Sequence, residues 1–298
     1  MHPTTADEIQ RGRDGWHRWE WESPTDLFNF ATRDGFALQR NRKGHNRVLA
    51  DMHLRQMRPD SSFYGGHTVE SLREALITPR PSILETIEAI ADRITTAAPI
   101  AGRPRRRIRH FREYGSELDP IAHLCRLPNG WSEAQREPAP ASLVRIGVNL
   151  SISAKRKPHE LLYRGAAALA LADRYAAAGY SVEIVAFDTA ANLGHDRRNA
   201  QRFNHLLQYI IIKSAGKPLD VSALATALCD VGFIRGLMMT ASARLAPVKI
   251  CDLFGSEAPL PDADRSGFHY ILDTDIRTEA AALAAVNRAS TDLDRATA

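Results

Sequence analysis

The residues best suited to chemistry stand at the ends of apolar segments. Asn149-Leu150-Ser151-Ile152-Ser153 closes one such segment and Asp188-Thr189 a second. Asp252 and Asp273 close two more, and Asp220 stands at a helix start. In open α/β sheets, sites form beyond the carboxyl ends of the strands, so these oxygen-bearing side chains are expected along one edge. Hard cations such as Mg²⁺ take oxygen ligands, which makes Asn149, Ser151, Ser153, Asp220 and Asp252 a candidate metal set. The competing reading is structural: the serines hydrogen-bond a turn and the aspartates cap helices.

A second chemistry is carried by charge. Arg103, Arg105, Arg106, Arg107, Arg109 and Arg112 put six arginines into ten residues, with Phe111 and Tyr114 beside them. Such a run can neutralise phosphates while aromatic rings stack on bases. It reads equally as a solvated loop, because Glu113, Glu117 and Asp119 follow.

Other chemistries lack their parts. No Gly-x-Ser-x-Gly elbow, His-Glu-x-x-His pair or phosphate-binding Gly-x-x-x-x-Gly-Lys-[Ser/Thr] loop occurs in the chain. His67, His110, His123, His195 and His205 have no metal spacing, and no catalytic residue is assigned. Cys125, Cys229 and Cys251 are odd in number and far apart, which argues against a zinc knuckle or a disulfide framework and suits a reducing cytoplasm.

The 298 residues are 44% hydrophobic and 25% charged, the balance of a globular chain. The net charge of +4 is mild. No apolar run approaches the roughly 20 residues of a membrane helix, and the longest, Ala166–Ala172, is broken by Asp173 and Arg174. The polar start Met1–Gln10 does not read as a secretory signal.

The elements that must position these residues follow from pattern. Residues 1–60 read as an irregular segment holding Trp16, Trp19 and Trp21, with a short helix capped by Ser23 over 24–32. Residues 61–140 read as a helical region with an Arg-rich loop. Thr68 caps a helix through Leu76, and Ser82 and Glu85 form a capping box for a helix striped by Ile83, Ile87, Ile90 and Ile94. Asp119-Pro120 opens a helix through Leu127, and the Pro- and Ala-rich stretch 132–142 reads as a linker with a domain boundary near 140.

Residues 141–298 read as an α/β domain. Strands are predicted over 143–151, 181–187, 206–214, 248–254 and 269–273. Helices are predicted over 158–178, 220–228, 232–244 and 274–289, with a tail that frays from Ser290. Strand, helix, strand over 143–187 is a βαβ unit with parallel strands. The 206–214 strand follows after only a loop and is expected antiparallel.

This order of elements, with the Asn149-x-Ser151-x-Ser153 turn, resembles the von Willebrand factor A-type fold. The resemblance covers about 143–290 and implies a three-layer Rossmann-like sheet. That family binds Mg²⁺ through Asp-x-Ser-x-Ser, a Thr before a later helix and a further Asp. Here Asn149 stands in the first Asp position, Ser151 and Ser153 are in register, Asp220 or Ser222 lies in the region of the Thr, and Asp252 supplies the last acid. Asn in place of Asp removes a charge on which cation affinity depends.

A second set of segments is similar to a family of uncharacterised tailed-bacteriophage proteins. It comprises Gly65-Gly66-His67-Thr68 with Leu72, Tyr114 to Pro120, Tyr163-Arg164-Gly165-Ala166-Ala167, and Ser181-Val182-Glu183-Ile184. That similarity implies a phage- or prophage-encoded protein of the bacterial host cytoplasm.

The expected function is a non-enzymatic protein-binding or scaffold module with a degenerate metal-dependent adhesion-type edge, where a partner carboxylate would complete the shell of any bound Mg²⁺. The alternative is a nucleic-acid-binding or nucleic-acid-processing protein using the Arg103–Arg112 run.

Overall fold

The computed structural model describes residues 10–11, 16–33, 52–78, 80–95, 105–112, 117–118, 125, 131–138, 142–152, 157–191, 205–245 and 260–297. Its centre is β6, Leu143–Asn149. The alternating Val144, Ile146 and Val148 pack into the main core. Gly147 turns to the opposite face, where an added Cβ would meet the Phe268 ring at 3.0 Å.

From β6 the chain enters α4, Glu160–Ala177, and returns as β7, Ser181–Ala191, parallel to β6 with Leu143 opposite Ser181. The antiparallel strand β8, His205–Lys213, comes next. The last strand, β9, Tyr270–Leu272, lies parallel to β6 on its other side. These elements agree with the sequence pattern, because their strands are runs of apolar and β-branched residues.

The N-terminal region contributes two more strands. β2, Trp16–Trp21, lies parallel to β8 with Trp21 opposite Ile210, and the short β1, Gln10–Arg11, pairs with β2. The sheet is therefore six-stranded and mixed, in the order β1-β2-β8-β7-β6-β9. The expectation of an irregular segment here is corrected. Trp19 and Trp21 are the alternate residues of a strand; Trp21 meets Phe30 at 4.8 Å. On the other face Arg18 makes a bidentate bond to Asp264, at 2.8 and 2.6 Å.

One face of the sheet is covered by helices. Ser23 caps α1, Pro24–Thr32, and a Thr68–Ser71 capping box starts α2, Val69–Ile77. The following helix α3, Pro81–Thr95, starts one residue before Ser82, so Ser82 lies inside the first turn and the expected Ser82–Glu85 box does not form. Pro81 opens this helix because proline lacks only a donor that a first turn leaves unused. Ile87, Ile90 and Ile94 of its stripe are buried.

Asp220 caps α5, Val221–Cys229. A π-helical turn, Phe233–Met238, then runs into α6, Met239–Leu245. The last helix, α8, spans Glu279–Thr297. It begins later than Thr274 because Thr278 is the residue whose hydroxyl accepts from Ala281 N. It also continues past Ser290, where fraying was expected.

Leu27, Leu72, Ile87, Leu171, Phe233 and Val286 share one core with Ile146, so the core is continuous across position 140. The opposite face is covered thinly. There Phe187, Leu207 and Leu260 pack with Tyr209, Phe268 and Ile271, beside the four-residue helix α7, Asp262–Arg265. Among the described residues this cover replaces the expected third layer of helices.

The Arg-rich segment is also corrected. Arg105–Arg112 is a strand, β3, and Trp131–Pro138, expected as linker, is its antiparallel partner β5. With β4, Glu117–Leu118, they form a separate sheet in the order β3-β5-β4. The expected helix over 119–127 and strand over 248–254 lie outside the described residues, save for Cys125. No single described helix is long and apolar enough to cross a membrane.

Candidate functional site

The carboxyl ends of β6, β7 and β9 lie at one edge because the three strands are parallel. β6 leaves the sheet through an Asx turn in which Asn149 Oδ1 accepts from Ser151 N at 2.9 Å. The amide nitrogen of Asn149 donates to Asp273 Oδ1 at 2.8 Å. Asp273 follows β9, and the same oxygen accepts from Thr274 N at 2.8 Å.

On the β7 side, the buried Ser151 hydroxyl donates to Asp188 Oδ1 at 2.9 Å and accepts from Thr189 N at 3.0 Å. Burial pushes the Asp188 carboxyl above the usual carboxylate range, opposed by the Ser151 hydroxyl and the Thr189 amide. Asn149, Ser151, Asp188, Thr189 and Asp273 thus form one hydrogen-bonded cluster spanning three strands.

Beneath the turn lies a buried cation. Arg164, on α4, is 3% exposed and donates through Nη1 to the carbonyl oxygens of Asn149 and Ser151. Its neighbour Gly165 lets α5 approach closely, since a Cβ there would lie 2.0 Å from Cys229 Sγ.

Asp230, which ends α5, makes the next contact. Its Oδ2 is 2.8 Å from His67 Nε2, and its Oδ1 accepts from Gly232 N at 2.8 Å. Arg80 lies 2.8 Å from His67 Nδ1. An arginine can only donate, so Nδ1 accepts from it, and Nε2 is the ring nitrogen nearer Asp230. The His67 ring is held between glycines, because a Cβ on Gly232 would come within 2.7 Å of it and one on Gly65 within 3.1 Å. Ser71 Oγ is 3.4 Å from Nδ1, but it is committed to the α2 capping box. The group therefore works as a lock between the N-terminal region and α5.

The structure brings two of the five candidate metal residues together, Asn149 and Ser151. Asp220 lies elsewhere. β8 runs antiparallel, so its end at Lys213 sits beside Ile184, near the start of β7. Asp220 caps the far end of α5 from Cys229, its Oδ1 accepting from Ala223 N at 3.0 Å. Ser153 and Asp252 lie outside the described residues.

The donor set does not fit Mg²⁺ as built. Asn149 presents its amide nitrogen to Asp273, Ser151 Oγ is taken up by Asp188 and Thr189, and Arg164 already supplies a positive charge. No group of three or more His, Cys, Asp or Glu residues suited to a metal occurs among the described residues.

Asp188 and Asp273 were legible as strand ends. Arg164, His67 and Asp230 were not read as a group. A signal for Arg164 existed: it lies one helical turn after Leu161, on the buried stripe of α4.

No curated protein and no solved structure matches the chain. A family model described as Domain of unknown function (DUF7192) matches residues 22–293, nearly the whole chain, and the protein therefore belongs to that family.

Proposed function

We propose that the chain is a von Willebrand A-type module, phage- or prophage-encoded, that binds another protein through the edge formed by Asn149, Ser151, Asp188 and Asp273, without catalysis. Support for the fold type comes from the order β8-β7-β6-β9 with β8 antiparallel, and from the Asn149–Ser151 turn at the end of the central strand.

The observation that carries the reading is the bond from the Asn149 amide to Asp273. In a metal-dependent adhesion edge, a cation links the first residue of the turn to an acid on a neighbouring strand. Here an N–H donor makes that link directly. The asparagine both removes a charge and supplies the hydrogen-bond donor that makes the ion unnecessary.

The change alters what the edge recognises. A bound cation would attract a partner carboxylate. Without one, the partly exposed Asp188 and Asp273 carboxyls favour a lysine or arginine of the partner. Catalysis has little to work with, because the Ser151 hydroxyl is buried and committed on both sides.

The test is affinity capture from lysogenic or phage-infected cells, with the wild-type chain and an Asp188→Asn/Asp273→Asn variant as baits. One protein should be recovered in stoichiometric amount by the wild type, equally with EDTA or Mg²⁺ present, and about tenfold less by the variant. Recovery that the variant leaves unchanged, or that EDTA abolishes, contradicts the reading.

A further inference from the structure

The three-stranded sheet carries an inference independent of that edge. Opposite residues of an antiparallel pair share a face, and alternate residues of a strand change face. The register of β3 and β5 therefore sorts their charges. One face receives Arg106 opposite Glu137, Ile108 opposite Gln135, His110 opposite Glu133, and Arg112 opposite Trp131, with Leu118 beyond. On this face each arginine position stands opposite an acid or an apolar residue in the register.

The other face receives Arg105 opposite Pro138, Arg107 opposite Arg136, Arg109 opposite Ala134, and Phe111 opposite Ser132. Of the paired positions on this face the one acid is Glu117, at the Phe111 end. The segment is thus neutralised on one face and strongly basic on the other.

Two features of the basic face point to a ligand. Like charges directly opposite one another destabilise a strand pair. The Arg107–Arg136 pair has that cost unless an anion sits between the two. The row Arg105, Arg107, Arg109 also repeats about every 6.8 Å along the strand and ends in an aromatic residue. A sheet face with a basic row and an aromatic platform is an arrangement that can hold an unpaired strand, phosphates on the arginines and a base on the ring.

We infer that the ribbon face carrying Arg105, Arg107, Arg109, Arg136 and Phe111 binds the backbone of single-stranded nucleic acid. The binding follows charge and stacking and selects no base sequence.

The test uses the full chain and a fluorescein-labelled oligo-dT of about 20 nucleotides, followed by anisotropy across a salt series. Four phosphate contacts give a slope of log K against log salt near −2.8. Arg107→Gln/Arg109→Gln should weaken binding about tenfold or more at low salt and bring the slope to about −1.4. Arg106→Gln/Arg112→Gln removes the same charge from the other face and should change affinity less than about twofold.

Ultraviolet cross-linking of oligo-dU to the unaltered chain should label the peptide containing Phe111, a readout that does not depend on any variant folding. Equal losses from the two double variants, tighter binding of duplex than of single strand, or labelling confined to other peptides would overturn the inference. Asp188→Asn/Asp273→Asn should leave this binding intact, which separates it from the edge reading.

Discussion

The two sheets of this protein are built on opposite principles. In the six-stranded sheet, Val144, Ile146, Val148, Val182, Ile184 and Ala186 are apolar and almost wholly buried, and burial fixes which strand lies beside which. In the three-stranded sheet, β3 contains one isoleucine, one phenylalanine, one histidine and five arginines. Its register is set by backbone pairing and by oppositions such as Arg106–Glu137 and His110–Glu133. At the strand-end edge of the buried sheet, hydrogen bonds link Asn149 to Asp273 and Ser151 to Asn149 and Asp188. In the charged ribbon the register places Arg105, Arg107, Arg109 and Arg136 on one face, with Glu117 at its far end.

The largest loss of stability is expected at the His67–Asp230 lock. Replacing either by alanine leaves a buried polar group without its partner and should cost about 1–3 kcal/mol in urea unfolding. The whole apolar core should report the loss. A cost below about 1 kcal/mol would mean that the pair is not buried as described.

Gly165→Ala comes next. Its Cβ would meet Cys229 Sγ, and overpacking of this kind costs about 1–3 kcal/mol. Adding Cys229→Ala removes the sulfur and should restore most of the loss, since the remaining neighbours lie at 3.6 Å or more. Failure of the second change to rescue the first would show that α4 and α5 do not meet there.

Asp188 sharpens the contrast through pH. Its folded-state carboxyl is shifted upward by burial, so the folded protein holds that proton more tightly than the unfolded chain. Its contribution is therefore favourable at low pH and is lost as pH rises from the unfolded value through the folded one. Asp188→Asn keeps an oxygen for Ser151 and avoids that loss. The variant should melt higher than wild type at neutral pH, by the order of 1 kcal/mol, with the gap closing in acid. A variant that melts lower at every pH would contradict the direction of the shift.

The smallest effect belongs to the ribbon. Glu133→Gln and Glu137→Gln should each cost about 0.2–1 kcal/mol, read as faster amide exchange in β3 and β5 with the global melt unmoved. If the global melt fell as far as for His67→Ala, the two sheets would not differ in the way argued.

The sequence was easiest to read where a residue's partners are local or where burial alone decides. The βαβ unit over 143–191 and the antiparallel β8 follow from apolar runs, and Ser23, Thr68 and Asp220 cap the expected helices because capping is settled within a few residues. β2 was hidden because Trp16 falls out of phase with Trp19 and Trp21, which leaves only a short alternating stretch, while its partners on β8 and α7 come late in the chain. β3 was hidden by its arginines, whose opposing residues lie across the register on β5.

At the candidate site, Asn149, Ser151, Asp188 and Asp273 could be found by reading strand ends. Asp220 could not be excluded from that set until the direction of β8 was known, because direction decides the edge at which a strand ends. Arg164 was masked by its place in an Ala-rich helix, where an arginine reads as surface charge.

The turn after β6 is joined to its neighbouring strands by the chain's own hydrogen bonds. The most direct measurement is a Mg²⁺ titration of the wild-type protein followed by calorimetry and thermal melting. No saturable heat and no shift in Tm are expected. A saturable heat with a rise in Tm, both lost in Ser151→Ala, would contradict that expectation.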